Sequence, residues 1–317
     1  MGRKSTAIVF VGQGTQYPGM CQELTTDTAR SIYEHAYSTL GKTRSFMAFN
    51  RLSQYATRTQ VKYSNLAIFV NNHAFYASLI NGLPELKYSA VAGHSLGLFN
   101  AVISSGAITY EDCLPLMNQV SDKTQKVART VKEGLAILRY KGEINFEELK
   151  KLEDKRIYVA LVNDPRKVVL GGPKKELKKV VDRLNGDGVS AEYLRFANVP
   201  FHTPHMDDVR EHLKKSLDGV ALKLAGVPIV CNSSGDFVVD PRHTLDVVLN
   251  SINNPVKWVG ALSRMEELGI ERYIVLGADK EEIIGKTAKK IVDKNKEVLV
   301  INNQETLDNV INMLSGE

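Results

Sequence analysis

The segment YSAVAGHSLGLFNAVISSG, Tyr88–Gly106, decides how this chain folds. Tyr88 to Ala92 reads as a short strand, LGLFNAVISSG is compatible with a helix, and between them Gly93-His94-Ser95-Leu96-Gly97 fits the pattern G-x-S-x-G. A sharp strand-to-helix turn needs small residues on both sides if the central serine is to stand exposed with strained backbone angles, and Gly93 and Gly97 leave that room. The following helix points its N-terminus toward Ser95, so the Leu96 amide and the helix dipole favour developing negative charge there. The five letters alone also describe an ordinary glycine-containing turn. The strand before them and the helix after them are what favour a nucleophile.

Working outward, Thr6 to Val11 is a second strand ending in a glycine loop, GQGTQ, after which Pro18 introduces a helical stretch to roughly Leu40. Ser64 to Leu83 reads as a buried helix, and Thr109, with Glu111 and Asp112 in the next turn, starts another that runs to about Val131. Strands alternating with helices indicate a largely parallel sheet covered on both faces. Between about Leu135 and Phe196 the rhythm changes to βαββαβ, a ferredoxin-like unit, with Asn145 capping its first helix ahead of Glu148 and Pro173 opening its second. The strand–helix rhythm then resumes through PIVCN, helices around Leu245 to Ile252 and Trp258 to Leu268, RYIVLG, EIIGKTAKKIVD and KEVLVIN. The expected class is α/β: a large α/β-hydrolase-like subdomain with a parallel sheet, residues 1–132 and 198–317, and an inserted ferredoxin-like small subdomain, residues 133–197.

A chain of 317 residues, 43% hydrophobic and 24% charged, can bury a core without disulfides or a structural metal. It has no internal repeat, no apolar run near the eighteen or so residues of a spanning helix, and no secretory leader pattern, so the expectation is a cytoplasmic protein without membrane association. The opening MGRKST formally fits an N-myristoylation pattern, but a strand begins at once and the match is set aside. Cys21, Cys113 and Cys231 are too scattered for a zinc or redox motif and read as packing residues. No His and acidic cluster has metal-ligand spacing, and GQG is too short for a dinucleotide loop, so neither metal nor bound cofactor is expected. The net charge of +5 is too small to argue for nucleic acid. It is unevenly spread, since Lys150 to Arg183 carries 11 Lys or Arg against 5 acids. That stretch is either a solvated face or a docking surface for an acidic partner.

A serine hydroxyl needs a base, and the chain offers seven histidines: 35, 73, 94, 202, 205, 212 and 243. His35 and His73 fall in helical patterns, and His212 lies in a charged run. His94 adjoins Ser95, but neighbours at an elbow point in different directions. His202, in NVPFHTPHM where the chain crosses back from the inserted unit, is placed at a cleft rim and is favoured over its near neighbour His205. An α/β-hydrolase presents Ser, acid and then a late His. Here more than a hundred residues of sheet and helix follow His202, which argues for a different fold.

FVGQGTQYPGM, AVAGHSLG, NDPRKVVLGGPKKEL, VPFHTPHM, NNPVKW and IVLGADK, in this order, resemble the malonyl-CoA:acyl-carrier-protein transacylase family over nearly the whole chain. The resemblance implies ping-pong transfer through an acyl-serine. Ser95 would be the nucleophile and His202 the base, with the backbone amides of Gln13 and Leu96 as the oxyanion hole. In place of a carboxylate, a main-chain carbonyl within Asn250 to Asn253, that of Ser251, would orient the histidine. Leu98 and Asn163 are expected in the acyl pocket with Val120 and Phe201. The substrate would be a phosphopantetheine thioester, carried on CoA or on acyl carrier protein, and the basic stretch would dock the carrier.

One departure bears on the substrate. Malonyl-transferring members of that family place an arginine roughly 25 residues beyond the serine to bind the free carboxylate, and Val120 and Ser121 occupy the corresponding pair here. No arginine lies between Arg58 and Arg129, and Lys123 is about 300° around the helix from Val120. A buried carboxylate without its guanidinium costs about 3 kcal/mol or more. The expectation is therefore an uncharged acyl group. Phe201 resembles the bulky residue of malonyl-selective members and pulls the other way. Lys167 stands where the family often has an amide, with no assigned effect. Three other readings stand beside this one: an acyl-carrier-protein hydrolase that removes stalled acyl groups, a standard malonyl transacylase, and a non-catalytic scaffold.

Overall fold

The computed structural model of the chain describes residues 4–40, 60–186, 188–195 and 197–316. The first strand, β1 (Thr6–Phe10), is buried along its whole length. The helical stretch expected directly after Pro18 is shorter than the sequence implied. Gly19 sits in the left-handed region at φ 82°, and a 3-10 turn at Met20–Gln22 follows it. Helix α1 (Asp27–Thr39) starts where the Thr26 side chain accepts from the Ala29 amide.

Helix α2 (Val61–Gly82) leads to β2 (Ala90–Gly93), which turns into α3 (Gly97–Ser104). Helix α4 (Tyr110–Thr130) is capped by Thr109, whose hydroxyl accepts from the Asp112 amide. A second group of elements follows: β3 (Glu133–Tyr140), α5 (Phe146–Lys150), β4 (Tyr158–Asp164), β5 (Lys167–Pro173), α6 (Lys174–Leu184) and β6 (Val189–Leu194). The chain then forms α7 (Asp207–Ser216), β7 (Ile229–Val230), β8 (Phe237–Val238), α8 (Pro241–Asn253), α9 (Trp258–Glu267), β9 (Arg272–Leu276), α10 (Ile283–Ile291), β10 (Glu297–Ile301) and α11 (Gln304–Leu314).

Six strands form one sheet in the order β10-β9-β1-β2-β7-β8, parallel except for the final β7–β8 pair. Strands from before and after the second group thus share this sheet. Along β1, Ile8 and Phe10 face one core with Phe69, Phe75 and Leu98, while Ala7 and Val9 face the other with Trp258, Leu262 and Tyr273. That two-residue alternation, apolar on both faces, is what a sheet covered by helices on both sides requires. Connections leave β1 toward β2 on one side, and the chain later returns to β9 on the other. The carboxyl ends beside β1 therefore form a switch point of the kind where open α/β sheets place their ligands.

The other four strands make an antiparallel sheet in the order β4-β5-β3-β6, the ferredoxin-like arrangement. One face is covered by Leu149, Leu152, Leu177 and Val180 from the α5 and α6 region. The opposite face packs Leu135, Ile137, Ala160 and Val169 against Phe201 and Leu161. Val256, between α8 and α9, donates to the Ala160 carbonyl and accepts from the Val162 amide, which ties the small sheet to the larger body. Among the described residues, no helix is long and apolar enough to cross a membrane.

Candidate active site

Ser95 occupies the turn between β2 and α3 at φ 51°, a left-handed conformation disfavoured for a residue with a side chain. Close packing holds it there. A Cβ on Gly93 would lie 2.1 Å from the Gly97 carbonyl carbon, and one on Gly97 would lie 2.6 Å from the Phe10 and Val11 carbonyl oxygens. The two glycines therefore allow the turn to fold against itself and against β1, as the motif predicts.

The GQG loop leaves β1 and packs onto this turn: a Cβ on Gly12 would lie 2.1 Å from the His94 carbonyl oxygen. Gly14 adopts φ 112° and donates its amide to Gln16 Oε1 at 2.7 Å, while the Thr15 hydroxyl donates to the Gly12 carbonyl at 3.0 Å. Behind the loop, Asn72 donates to the Val11 carbonyl and to Asn100 Oδ1, and Asn100 donates to the Phe69 carbonyl. This buried amide chain lies within helices that the sequence presented as plain apolar elements. The Gln13 and Leu96 amides donate to no group among the described residues, so both are free to serve an oxyanion.

His202 adopts φ 60° and is 5% exposed, deeper than the cleft rim expected for it. Its Nε2 lies 2.6 Å from Ser95 Oγ, and its Nδ1 lies 2.8 Å from the Ser251 carbonyl oxygen. A carbonyl only accepts, so Nδ1 carries the ring proton and Nε2 is left to receive the hydrogen of the serine hydroxyl. Burial pushes the His202 pKa down to about 4, with the Ser251 carbonyl opposing that shift and the neighbouring His94 adding to it. The ring is neutral near pH 7, the form a general base requires.

His205 has a different environment. Its Nδ1 lies 2.7 Å from Glu133 Oε1 and its Nε2 lies 2.8 Å from the Arg156 carbonyl oxygen, which fastens the loop to the small sheet. His94 turns away from Ser95. Its Nε2 meets Asn163 Oδ1 at 2.8 Å, its ring packs edge-on against Trp258, and burial lowers its pKa to about 4.

A cavity of about 440 Å³, counting space open to solvent, begins at Ser95. Of the sequence-designated residues, Gln13, Leu96, Val120, Phe201, His202 and Ser251 line it. Leu98 and Asn163 do not. Leu98 is fully buried in the core beside α2, because α3 turns that position inward, and Asn163 is engaged with His94 beneath the elbow. Six lining residues went unrecognised in the sequence: Asn65, Phe99, Thr124, Met206, Val209 and Ile252. Only Thr124 carried a usable signal, since it lies one helical turn beyond Val120. Among the described residues, the lining contains no lysine, arginine or carboxylate. Lys123 is absent from it, and Lys167 pairs with Arg139 in the small sheet, where burial first and the Arg139 charge next lower its pKa. The three cysteines are free and buried. No group of three His, Cys, Asp or Glu among the described residues is placed to hold a metal ion.

This α/β fold with its inserted antiparallel sheet is shared by known structures. The malonyl CoA-acyl carrier protein transacylase of Coxiella burnetii superposes with a TM-score of 0.87 at 21% identity over 98% of both chains. The acyltransferase domain from the second module of the salinomycin polyketide synthase gives 0.83 at 21% identity, over 98% of this chain and 72% of that one. In sequence, the malonyl CoA-acyl carrier protein transacylase of Bacillus subtilis is 24% identical over 84% of this chain and 85% of its own length. Polyketide biosynthesis protein PksE of the same organism is 27% identical over 80% of this chain and 32% of its own length. The family model for the acyl transferase domain matches residues 7–274, and the chain belongs to that family.

Proposed function

We propose that this acyltransferase moves an uncharged acyl group between phosphopantetheine thioesters, carried on CoA or acyl carrier protein, through an acyl-Ser95 intermediate. The observation that carries this reading is the 2.6 Å contact between Ser95 Oγ and His202 Nε2, opening on a cavity that Val120 lines and to which no lysine or arginine among the described residues contributes. Ser95 Oγ attacks the thioester carbonyl as its proton passes to His202 Nε2. The oxyanion is held by the Gln13 and Leu96 amides. The C–S bond then breaks, and the imidazolium returns the proton to the departing thiolate. A second phosphopantetheine thiol repeats these steps in reverse, giving its proton to His202 and leaving with the acyl group. The Ser251 carbonyl keeps the ring in the required tautomer throughout.

Carrier protein is the expected macromolecular partner. Lys175, Lys178, Lys179 and Arg183 are exposed along α6, and Lys150, Lys151 and Lys155 are exposed near α5. Some of this charge is balanced internally, as Lys179 pairs with Glu176 and Arg183 with Glu148. The remainder gives the small sheet's outer face a net attraction for an acidic partner.

The test is intact-mass labelling of Ser95 by acetyl-, butyryl- and malonyl-CoA, with free acid measured in the same tubes. Neutral acyl groups are expected to label faster than malonyl, and Val120→Arg is expected to raise malonyl labelling by at least about tenfold relative to acetyl. Equal or faster malonyl labelling of the unaltered protein overturns the assignment. Free acid released from acyl-carrier protein at the rate of label loss, without an acceptor thiol, replaces transfer by hydrolysis.

A further inference from the structure

Asn65 is 4% exposed and lines the cavity at Ser95, yet its Oδ1 has no hydrogen-bond partner. A buried carbonyl oxygen left unpaired costs about 1–3 kcal/mol, and on a residue that lines a cavity a ligand donor can recover that cost. Its position is well fixed. One turn earlier on α2, the Lys62 ammonium lies 2.7 Å from Asp122 Oδ1 on α4, and the Lys62 amide donates to Gln125 Oε1 at 3.2 Å. These contacts hold the start of α2 against the Val120–Thr124 turn of α4, and they also engage the nearby Lys62 charge. Thr124 lines the cavity as well, and its hydroxyl donates to the Val120 carbonyl at 2.8 Å. Its proton is thereby committed, and its oxygen can only accept from a ligand.

We infer that Asn65 and Thr124 form a neutral polar subsite in the acyl pocket, selecting an acyl group that bears a hydroxyl. This deepens the proposed function and rests on it. A hydroxyl fits because it donates to an acceptor oxygen and can also accept from the NH₂ of the same carboxamide. An ammonium does not fit, since no carboxylate lines the cavity among the described residues. A carboxylate does not fit either, having no cation there and no proton to give. A wholly aliphatic chain leaves the Asn65 oxygen unpaired. Val120 and Phe201 supply the apolar wall along which the carbon chain lies.

The experiment compares Ser95 acylation by butyryl-CoA, 2-hydroxybutyryl-CoA and 3-hydroxybutyryl-CoA, in the unaltered protein, Asn65→Leu and Thr124→Val. One hydroxybutyryl donor is expected to exceed butyryl by about fivefold, the range of one net hydrogen bond. Asn65→Leu, which keeps the volume and removes the amide, should abolish or reverse that ratio while butyryl still labels, and Thr124→Val should reduce it. Butyryl labelling as fast as both hydroxybutyryl donors in the unaltered protein overturns the subsite and leaves the acyl-transfer reading standing. A ratio unchanged in both variants does the same. Malonyl-CoA labelling faster than all three donors overturns the underlying reading and the subsite together. The comparison within the unaltered protein requires no variant to fold.

Discussion

Ser95 and His202 meet at 2.6 Å and both adopt left-handed backbone angles, φ 51° and φ 60°, but different kinds of force hold them. The elbow is fixed by sterics written into its own five residues. Gly93 and Gly97 are each so close to backbone that a single added carbon would collide with it. The histidine loop contains no glycine. It is held by polar contacts instead: the Thr203 hydroxyl donates to the Pro200 carbonyl at 2.6 Å, the Met206 amide donates to the Thr203 carbonyl at 2.9 Å, and His205 fastens to Glu133. The remaining restraint, the Ser251 carbonyl, comes from α8, 49 residues along the chain. One half of the pair is thus local and rigid by exclusion, whereas the other depends on several separate bonds.

Removing the two side chains should give the largest effects and should treat the halves unequally. Ser95→Ala is expected to abolish the acyl-enzyme peak in intact mass from every donor. His202→Ala should slow labelling about 10²- to 10⁴-fold without abolishing it, because the Gln13 and Leu96 amides and the serine remain. Equal loss in the two variants would mean that the imidazole does more than receive a proton.

Backbone changes should separate the halves further. Gly93→Ala forces a Cβ to within 2.1 Å of the Gly97 carbonyl carbon. It should cost about 3 kcal/mol or more, lowering the thermal midpoint by about 6 °C or more, with activity lost as the elbow deforms. Thr203→Val removes one hydroxyl from a loop with other restraints. Its midpoint should move by less than about 4 °C, while kcat/KM falls about tenfold through misplacement of His202. A Thr203→Val protein as unstable as Gly93→Ala would show that the loop is an element of the fold as much as of the site.

The same division governs what the sequence discloses. The elbow and GQG loop are legible because glycine spacing, strand and helix lie within a few neighbouring residues. The two sheets follow from strand rhythm, except β8, whose two residues are too few to show a pattern. His202 and His205 were separable only weakly by spacing, because they lie three residues apart in one loop and their partners come from α8 and from the small sheet. The Ser251 carbonyl was visible only through family resemblance, since a main-chain oxygen leaves no trace in residue identity. Asn65, Met206, Val209 and Ile252 reach the cavity from α2, from the segment entering α7, from α7 itself and from α8. That convergence is a property of packing, with no local signature, and packing also decides that Leu98 turns into the core and Asn163 bonds to His94 instead of lining the cavity.

A pH series tests whether burial acts alike on the two halves. His94 in the elbow, His202 in the loop and His73 in α2 all have pKa values lowered by burial to about 4, from the ordinary histidine value of 6.5. Between these values the unfolded chain binds protons that the folded chain refuses. Their contribution to stability is therefore fully present above pH 6.5, declines as the pH falls toward 4, and levels off below it. The urea midpoint should fall over that window, and His202→Asn should make the decline shallower by about one third if the three rings contribute equally. Activity should follow a different curve, because the His202 ring in the folded protein is protonated only as the pH falls through about 4. Labelling by a neutral acyl-CoA at pH 5 should thus stay near its pH 7 rate in protein that is already easier to unfold. If labelling and stability instead decline together from pH 6.5, the imidazole at Ser95 is hydrated in solution, and the polar bonds of its loop open far more readily than the glycine-packed elbow beside it.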